Sequence, residues 1–320
     1  MRKTEMLWVR GRILVLLLFL IAPSAGIPCP ADEGLMHRMM ADADYLEDWE
    51  EGDGTIVPEI VYDAAKGLKY DLYLPAASAA EPDRPTGAML FIHGGSWTGG
   101  SRAEQDYACK RFVKLGYVTA TLDYTLYKEG DPTSFFTMLD DIGRCLEHLR
   151  ETAAARHYPV KAVALSGLSA GGHLAMLYAY SRAKTSPIPI AFVFQQVGPS
   201  VFTPEAWPDR PDLSWGVAQI GSGVEMTREE YEDGRMAEAV RSISPALLVD
   251  ESTVPTIAAY GGKDTLVPSP HAWKLREALA AHKVPHEFIL YRHSGHFLCG
   301  DPACARRYRQ AVLEFCEKYF

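Results

Sequence analysis

Gly167-Leu168-Ser169-Ala170-Gly171 sets a serine between two glycines. A G-x-S-x-G match alone arises by chance, so its surroundings decide its weight. An apolar run, Ala162 to Ser166, leads into it, and a helical pattern, Gly171 to Arg182, leaves it. That is the strand–turn–helix setting of a nucleophile elbow. Glycines flank the serine because side chains do not fit so tight a turn. The helix N-terminus then offers its dipole and unpaired N–H groups to a developing oxyanion. The chemistry implied is acyl transfer through a serine nucleophile.

Three further signals fit that chemistry. His93-Gly94-Gly95-Ser96-Trp97 follows the apolar run Ala88 to Ile92. A glycine-rich turn there exposes backbone N–H groups. Gly95 and Ser96 are the preferred oxyanion donors, with Gly94 adjacent and Ala170 completing the set. Losing one such donor costs about 100- to 1000-fold in rate. Asp264 ends Tyr260-Gly261-Gly262-Lys263-Asp264, and His296 lies in His293-Ser294-Gly295-His296-Phe297, each beyond an apolar run. A neutral serine is a weak nucleophile. His296 would take its proton, and Asp264 would fix the imidazole tautomer.

Other titratable residues are weighed against these. His293 is an alternative base; Gly295 favours His296 by allowing a sharp turn. Asp250 and Glu251 precede a strand rather than follow one and make poor triad acids. His173 is expected in packing, His93 as a brace of the loop, and Asp123-Tyr124 as support for the HGGSW loop.

The elements that must position these groups are readable as well. Strands are expected at Val57–Tyr62, Leu68–Leu74, Ala88–His93, Tyr117–Asp123, Ala162–Ser166, Ile190–Val197, Thr256–Tyr260 and Glu287–Tyr291. The first two alternate apolar and polar residues, as an antiparallel edge does. The middle ones are continuously apolar, as strands buried on both faces are. Helices are expected at Glu104–Leu115, Phe135–Arg150, Gly171–Arg182, Pro270–His282 and Ala303–Lys318. The alternation implies an α/β fold with a mainly parallel eight-stranded sheet and helices on both faces. Gly198–Asp250, rich in Pro and Gly, breaks it and is read as a lid-like insertion at the sheet's C-terminal edge, where ligands of open α/β sheets bind.

With these residues in view, the chain resembles the esterase/lipase branch of the α/β-hydrolase superfamily, near the hormone-sensitive-lipase-like and feruloyl- or acetyl-esterase-like proteins. HGGSW, GLSAG, the Ser244–Val249 stretch, GGKDTLVP and SGHF carry the resemblance, over about residues 57–320. The order Ser169, Asp264, His296 is that of α/β-hydrolases. The loop reads HGGS where the family has HGGG; an N–H donor does not require glycine. The HGGxW form also occurs in arylformamidases. The resemblance implies a serine esterase acting on small-molecule or carbohydrate esters, without metal or cofactor. Amide hydrolysis and a catalytically silent binding protein on the same fold are the alternatives.

Bulk properties set the context. A composition 48% hydrophobic and 23% charged excludes wholesale disorder, and 320 residues suit one large domain. Basic residues Arg2, Lys3, Arg10 and Arg12, the apolar run Ile13 to Ile21, and Pro23-Ser24-Ala25-Gly26 have the layout of a secretory signal peptide over 1–26; an uncleaved anchor is the alternative. The nine-residue run is too short for a membrane span. An acidic extension at 27–56 and the hydrolase domain at 57–320, with its insertion at 198–250, would follow. The net charge of −9 becomes more negative once 1–26 is removed. That argues against nucleic acid and against anionic membrane surfaces as partners. An extracytoplasmic location, secreted or periplasmic, would permit disulfides among the six cysteines, and Cys299 and Cys304 are close enough to bridge a tight loop. No Cys-x-x-Cys pair supports zinc.

Overall fold

The computed structural model describes residues 49–50, 52–77 and 86–320. The expected signal segment, most of the acidic extension and Cys29 lie outside the described residues. Eight strands form one sheet: β1 (Gly54–Asp63), β2 (Leu68–Pro75), β3 (Thr86–Ile92), β4 (Val118–Leu122), β5 (Val160–Leu168), β6 (Ile190–Gln196), β7 (Thr256–Gly261) and β8 (His286–Tyr291). Their order is β1-β2-β4-β3-β5-β6-β7-β8. β1/β2 and β2/β4 pair antiparallel, and the remaining neighbours pair in parallel. Residue pattern explains the difference. β4 and β7 are buried along their full length, whereas β1 keeps an open face. The edge strand β1 also breaks register between Val57 and Ile60 and again between Val61 and Asp63.

Successive strand residues serve opposite faces. In β5, Val163 and Leu165 join one core with α2 (Phe135–Ala154), α3 (Ala170–Arg182) and α8 (Ser269–Ala281). Ala164 joins the other, with α1 (Asp106–Lys114) and α9 (Pro302–Tyr319). A 3₁₀ turn, Arg102–Gln105, stands where the sequence pattern had begun α1. Topology fixes the location of the chemistry. From β3 the chain crosses to β4, on one side, and then returns to β5, on the other. The loop after β3 and the turn after β5 therefore open beside each other at the point where strand order reverses.

The 198–250 insertion contains α4 (Pro211–Ser222), α5 (Arg228–Glu232), α6 (Ala237–Ser242) and α7 (Pro245–Leu248). Read from sequence as a lid-like excursion, it is packed into the core: Phe202, Trp207, Trp215, Tyr231 and Ile243 are buried in the same apolar cluster as α2 and α3. The expected Cys299–Cys304 bridge does not form. Cys299 Sγ donates to the Phe297 carbonyl at 3.3 Å, and Cys304 Sγ lies 3.7 Å from that of Leu290. Cys109, Cys145 and Cys316 are buried thiols. Among the described residues no helix is long and apolar enough to cross a membrane, and no cluster of His, Cys, Asp and Glu could hold a metal ion.

Candidate active site

Ser169 sits between β5 and α3 with φ 55° and ψ −121°, a conformation that costs a non-glycine residue about 1–3 kcal/mol. Both neighbours hold it there. Ser169 N–H donates to the Gln196 carbonyl at 2.9 Å, extending the β5/β6 ladder, and the Ser169 carbonyl accepts from His173 N–H at 3.0 Å, starting the helix. The flanking glycines are sterically required. A Cβ on Gly167 would lie 2.3 Å from the Gly171 carbonyl carbon, and one on Gly171 would lie 2.0 Å from the Ile92 oxygen.

The loop after β3 comes up against this elbow. A Cβ on Gly94 would stand 3.6 Å from that of Ser169. Gly95, Ser96 and Trp97 take φ of 100°, 52° and 61°, three successive left-handed residues. The Gly95 carbonyl accepts from the N–H groups of Thr98 and Gly99 at 3.0 Å each, and the Trp97 carbonyl accepts from Tyr127 N–H at 2.8 Å. The N–H groups of Gly94, Gly95 and Ser96 have no protein acceptor among the described residues, and that of Ala170 opens α3. These four are the expected oxyanion donors. Tyr124 braces the loop from behind: its hydroxyl donates to the His93 carbonyl at 3.1 Å and its ring stacks on the His93 ring at 4.3 Å. His93 Nδ1 donates to the Gly94 carbonyl at 2.8 Å, and burial lowers its pKa, which keeps it a neutral brace. Asp123 instead binds the Arg102 backbone and guanidinium beyond the loop, so the support expected from the Asp123-Tyr124 pair divides between them.

Asp264 lies past the end of β7, buried. Its Oδ1 accepts from the N–H groups of Leu266 (2.8 Å) and Val267 (2.9 Å), and its Oδ2 accepts from His296 Nδ1 at 2.8 Å. The two turns are also joined through the backbone, with Lys263 N–H donating to the Ser294 carbonyl at 2.9 Å. His296 is nearly buried, its side chain 9% exposed. The alternative base, His293, is 72% exposed and turns to Asp301 at 2.7 Å. Of the two hydrogen bonds a triad needs, Asp264–His296 is formed and one between His296 and Ser169 is not, a contact that commonly closes only with substrate bound. Asp250 is engaged with Ser252 and Thr253 in its own turn.

Several contributors to the site were not legible beforehand. Trp207 of the insertion donates its indole N–H to the Leu266 carbonyl at 2.7 Å, beside Asp264. His271, fully buried, accepts from Ser200 N–H at 3.2 Å while its ring packs on Trp207 at 4.2 Å. Their partners lie 59 and 71 positions away, beyond any local pattern. A small apolar cavity of about 10 Å³ opens beside the oxyanion loop, between Ser96, Trp97, Tyr127, Phe135, Val217 and Ile220. A larger one of about 90 Å³, between α1 and α9, reaches Gly167 and Leu168 from the other face and includes no triad or oxyanion residue.

The chain is similar to known proteins. Esterase LipC of Mycobacterium tuberculosis is 25% identical over 211 residues, 62% of this chain and 50% of LipC. Kynurenine formamidase of Danio rerio is 29% identical over 119 residues, 37% of each chain. The chain thus spans half or less of these curated relatives. The crystal structure of esterase B from Lactobacillus rhamnosis superposes with a TM-score of 0.67 at 20% identity, covering 96% of this chain and 95% of that one, which establishes the α/β-hydrolase fold. The BD-FAE family model matches residues 70–279, from β2 through most of α8, and so takes in the elbow, the oxyanion loop and Asp264. The chain therefore belongs to the BD-FAE family, in the esterase/lipase branch of the α/β-hydrolase superfamily.

Proposed function

We propose that the protein is a serine esterase that hydrolyses short-chain carboxylic esters through an acyl-serine intermediate. The observation that carries this is the Asp264–His296 hydrogen bond, two strands along the sheet edge from the strained Ser169 elbow. The Ser169 oxygen attacks the ester carbonyl as His296 Nε2 takes its proton. Asp264 holds the other ring nitrogen and stabilises the imidazolium. Negative charge on the carbonyl oxygen is received by N–H groups drawn from Gly94, Gly95, Ser96 and Ala170. His296 returns the proton to the departing alcohol. Water, activated by the same imidazole, then releases the acid and restores the serine.

The apolar cavity beside Ser96 is about 10 Å³, and an acyl group seated there would be short. An acylated carbohydrate outside the cytoplasm is the substrate class that the expected signal segment and acidic charge favour. Formyl-amide hydrolysis is the second reading, favoured by the match to kynurenine formamidase. The deciding experiment compares p-nitrophenyl acetate, butyrate and octanoate, acetylated oligosaccharide and N-formylkynurenine, for wild type and Ser169→Ala. Turnover of acetate that falls by several orders of magnitude in the variant supports the esterase reading. Exclusive turnover of the formamide would replace it, and activity surviving in Ser169→Ala would end both.

A further inference from the structure

Three parts of the site meet on one buried imidazole. His173 lies one helical turn beyond the nucleophile and is fully buried. Its Nδ1 accepts from Trp97 Nε1 at 3.2 Å, and its Nε2 lies 2.9 Å from the Ile243 carbonyl. A carbonyl can only accept, so Nε2 carries the proton and Nδ1 presents the lone pair that the indole needs. Burial holds the ring neutral, with its pKa lowered to about 3. Phe135 and Phe202 close around it at 4.6 and 5.0 Å. Trp97 belongs to the oxyanion loop and Ile243 to the end of the insertion, where Ser244 Oγ in turn accepts from Phe202 N–H at 2.9 Å.

We propose that His173 is a positioning residue: it holds Trp97, and with it the oxyanion loop, in register with the nucleophile, and the insertion backs it through Ile243. The proposal rests on the esterase reading. Serine and tryptophan do not adopt left-handed backbone unaided, so the run at Gly95–Trp97 needs an external hold. Of those three residues only Trp97 has a side chain sunk in the core. Its acceptor stands on the same helix turn that begins at Ser169, since His173 N–H donates to the Ser169 carbonyl. The loop is thereby measured against the nucleophile itself. A misplacement of about 1 Å in such a group costs on the order of 100-fold.

The test measures kcat and KM on p-nitrophenyl acetate, with thermal midpoints, for Trp97→Phe, His173→Phe, His173→Asn and the double variant Trp97→Phe/His173→Phe. Trp97→Phe keeps an aromatic ring in the core, removes the donor and shortens the side chain. It should lower kcat about 10- to 100-fold with KM nearly unchanged. His173→Phe should lose as much, and the double variant no more than either single one, because one link is cut in all three. His173→Asn, whose amide oxygen can stand in for Nδ1, should regain most of kcat. In the double variant no indole N–H is left buried and unpaired, so its midpoint should exceed that of His173→Phe while kcat stays low. Wild-type kcat in Trp97→Phe, or kcat recovering together with the midpoint in the double variant, would overturn the proposal while an inactive Ser169→Ala leaves the esterase reading standing. Turnover surviving in Ser169→Ala would overturn both.

Discussion

Replacing Asp264 by asparagine should abolish most activity without disturbing the fold, and the geometry says why. The carboxylate accepts three hydrogen bonds, two at Oδ1 from the Leu266 and Val267 N–H groups and one at Oδ2 from His296. An amide has one acceptor end and one donor end. The two backbone donors select the oxygen for the Oδ1 position, because the reverse orientation loses two hydrogen bonds of about 1 kcal/mol each and sets N–H against N–H. The amide NH2 then faces His296 Nδ1, which must accept. The ring proton moves to Nε2, the nitrogen that should receive the Ser169 proton, so the base is already occupied. A wrong tautomer of this kind lowers kcat by about 10⁴, on the order of 5.5 kcal/mol of barrier. Steady-state kinetics on p-nitrophenyl acetate should show that loss in kcat, with KM little changed and a thermal midpoint within a few degrees of wild type. His293→Ala, at an exposed position paired with Asp301, serves as the control and should stay near wild type. Asp264→Asn within ten-fold of wild type, or an inactive His293→Ala, would refute the assignment of acid and base.

Four other outcomes follow from the packing. Gly171→Ala places a methyl 2.0 Å from the Ile92 oxygen, in backbone that cannot yield; soluble expression and activity should both collapse. By contrast, a Cβ on Gly143, within α2, meets nothing closer than the Tyr178 hydroxyl at 3.4 Å, and Gly143→Ala should raise stability in denaturant titration by about 0.5–1 kcal/mol. Ile220→Ala widens the cavity beside Ser96 and should raise the butyrate-to-acetate ratio of kcat/KM several-fold, at up to ~0.8 kcal/mol per accommodated methylene; an unchanged ratio would place the acyl group elsewhere. His173 and His271 are buried neutral, each with its pKa lowered to about 3. The unfolded chain takes up protons on both below about pH 6.5, so their stabilisation is complete above that pH and is lost as the pH falls toward 3. Denaturant midpoints measured from pH 7.5 to 4.5 should decline more steeply for wild type than for His271→Gln, and equal slopes would contradict the burial argument.

The sheet was legible because its strands announce themselves. Ala88–Ile92 of β3, Ala162–Leu165 of β5 and Ile190–Phe194 of β6 are unbroken apolar runs, and the first half of β2 alternates. The candidate triad of Ser169, Asp264 and His296 could be picked out because each residue follows a strand at a turn bearing glycine. What stayed hidden depends on partners distant in sequence. Nothing near Trp207 points to Leu266, and nothing near His271 points to Ser200. Adjacent residues at a strand end point to opposite faces, and sequence alone could not tell that Tyr124 rather than Asp123 reaches the loop. The insertion looked like an excursion because its helices are short and divided by Pro and Gly; the burial of Phe202, Trp215 and Ile243 in the same cluster as α2 and α3 reveals it as core. His293 and His296 were separated by exposure, which three residues of spacing do not encode.

The broken register of β1 bears on the protein's behaviour in concentrated solution. Gly54–Asp63 is an outermost strand with several apolar residues, the kind of edge onto which another molecule could add a strand. Pro58 removes one donor from that edge. Glu59, at φ 59°, turns its backbone N–H inward to Asp71 at 2.7 Å and its carboxylate to Lys69 and Arg102. The edge is bent and charged at its middle, so no straight row of free N–H and C=O groups remains to template intermolecular pairing, and the irregularity acts as a guard against aggregation.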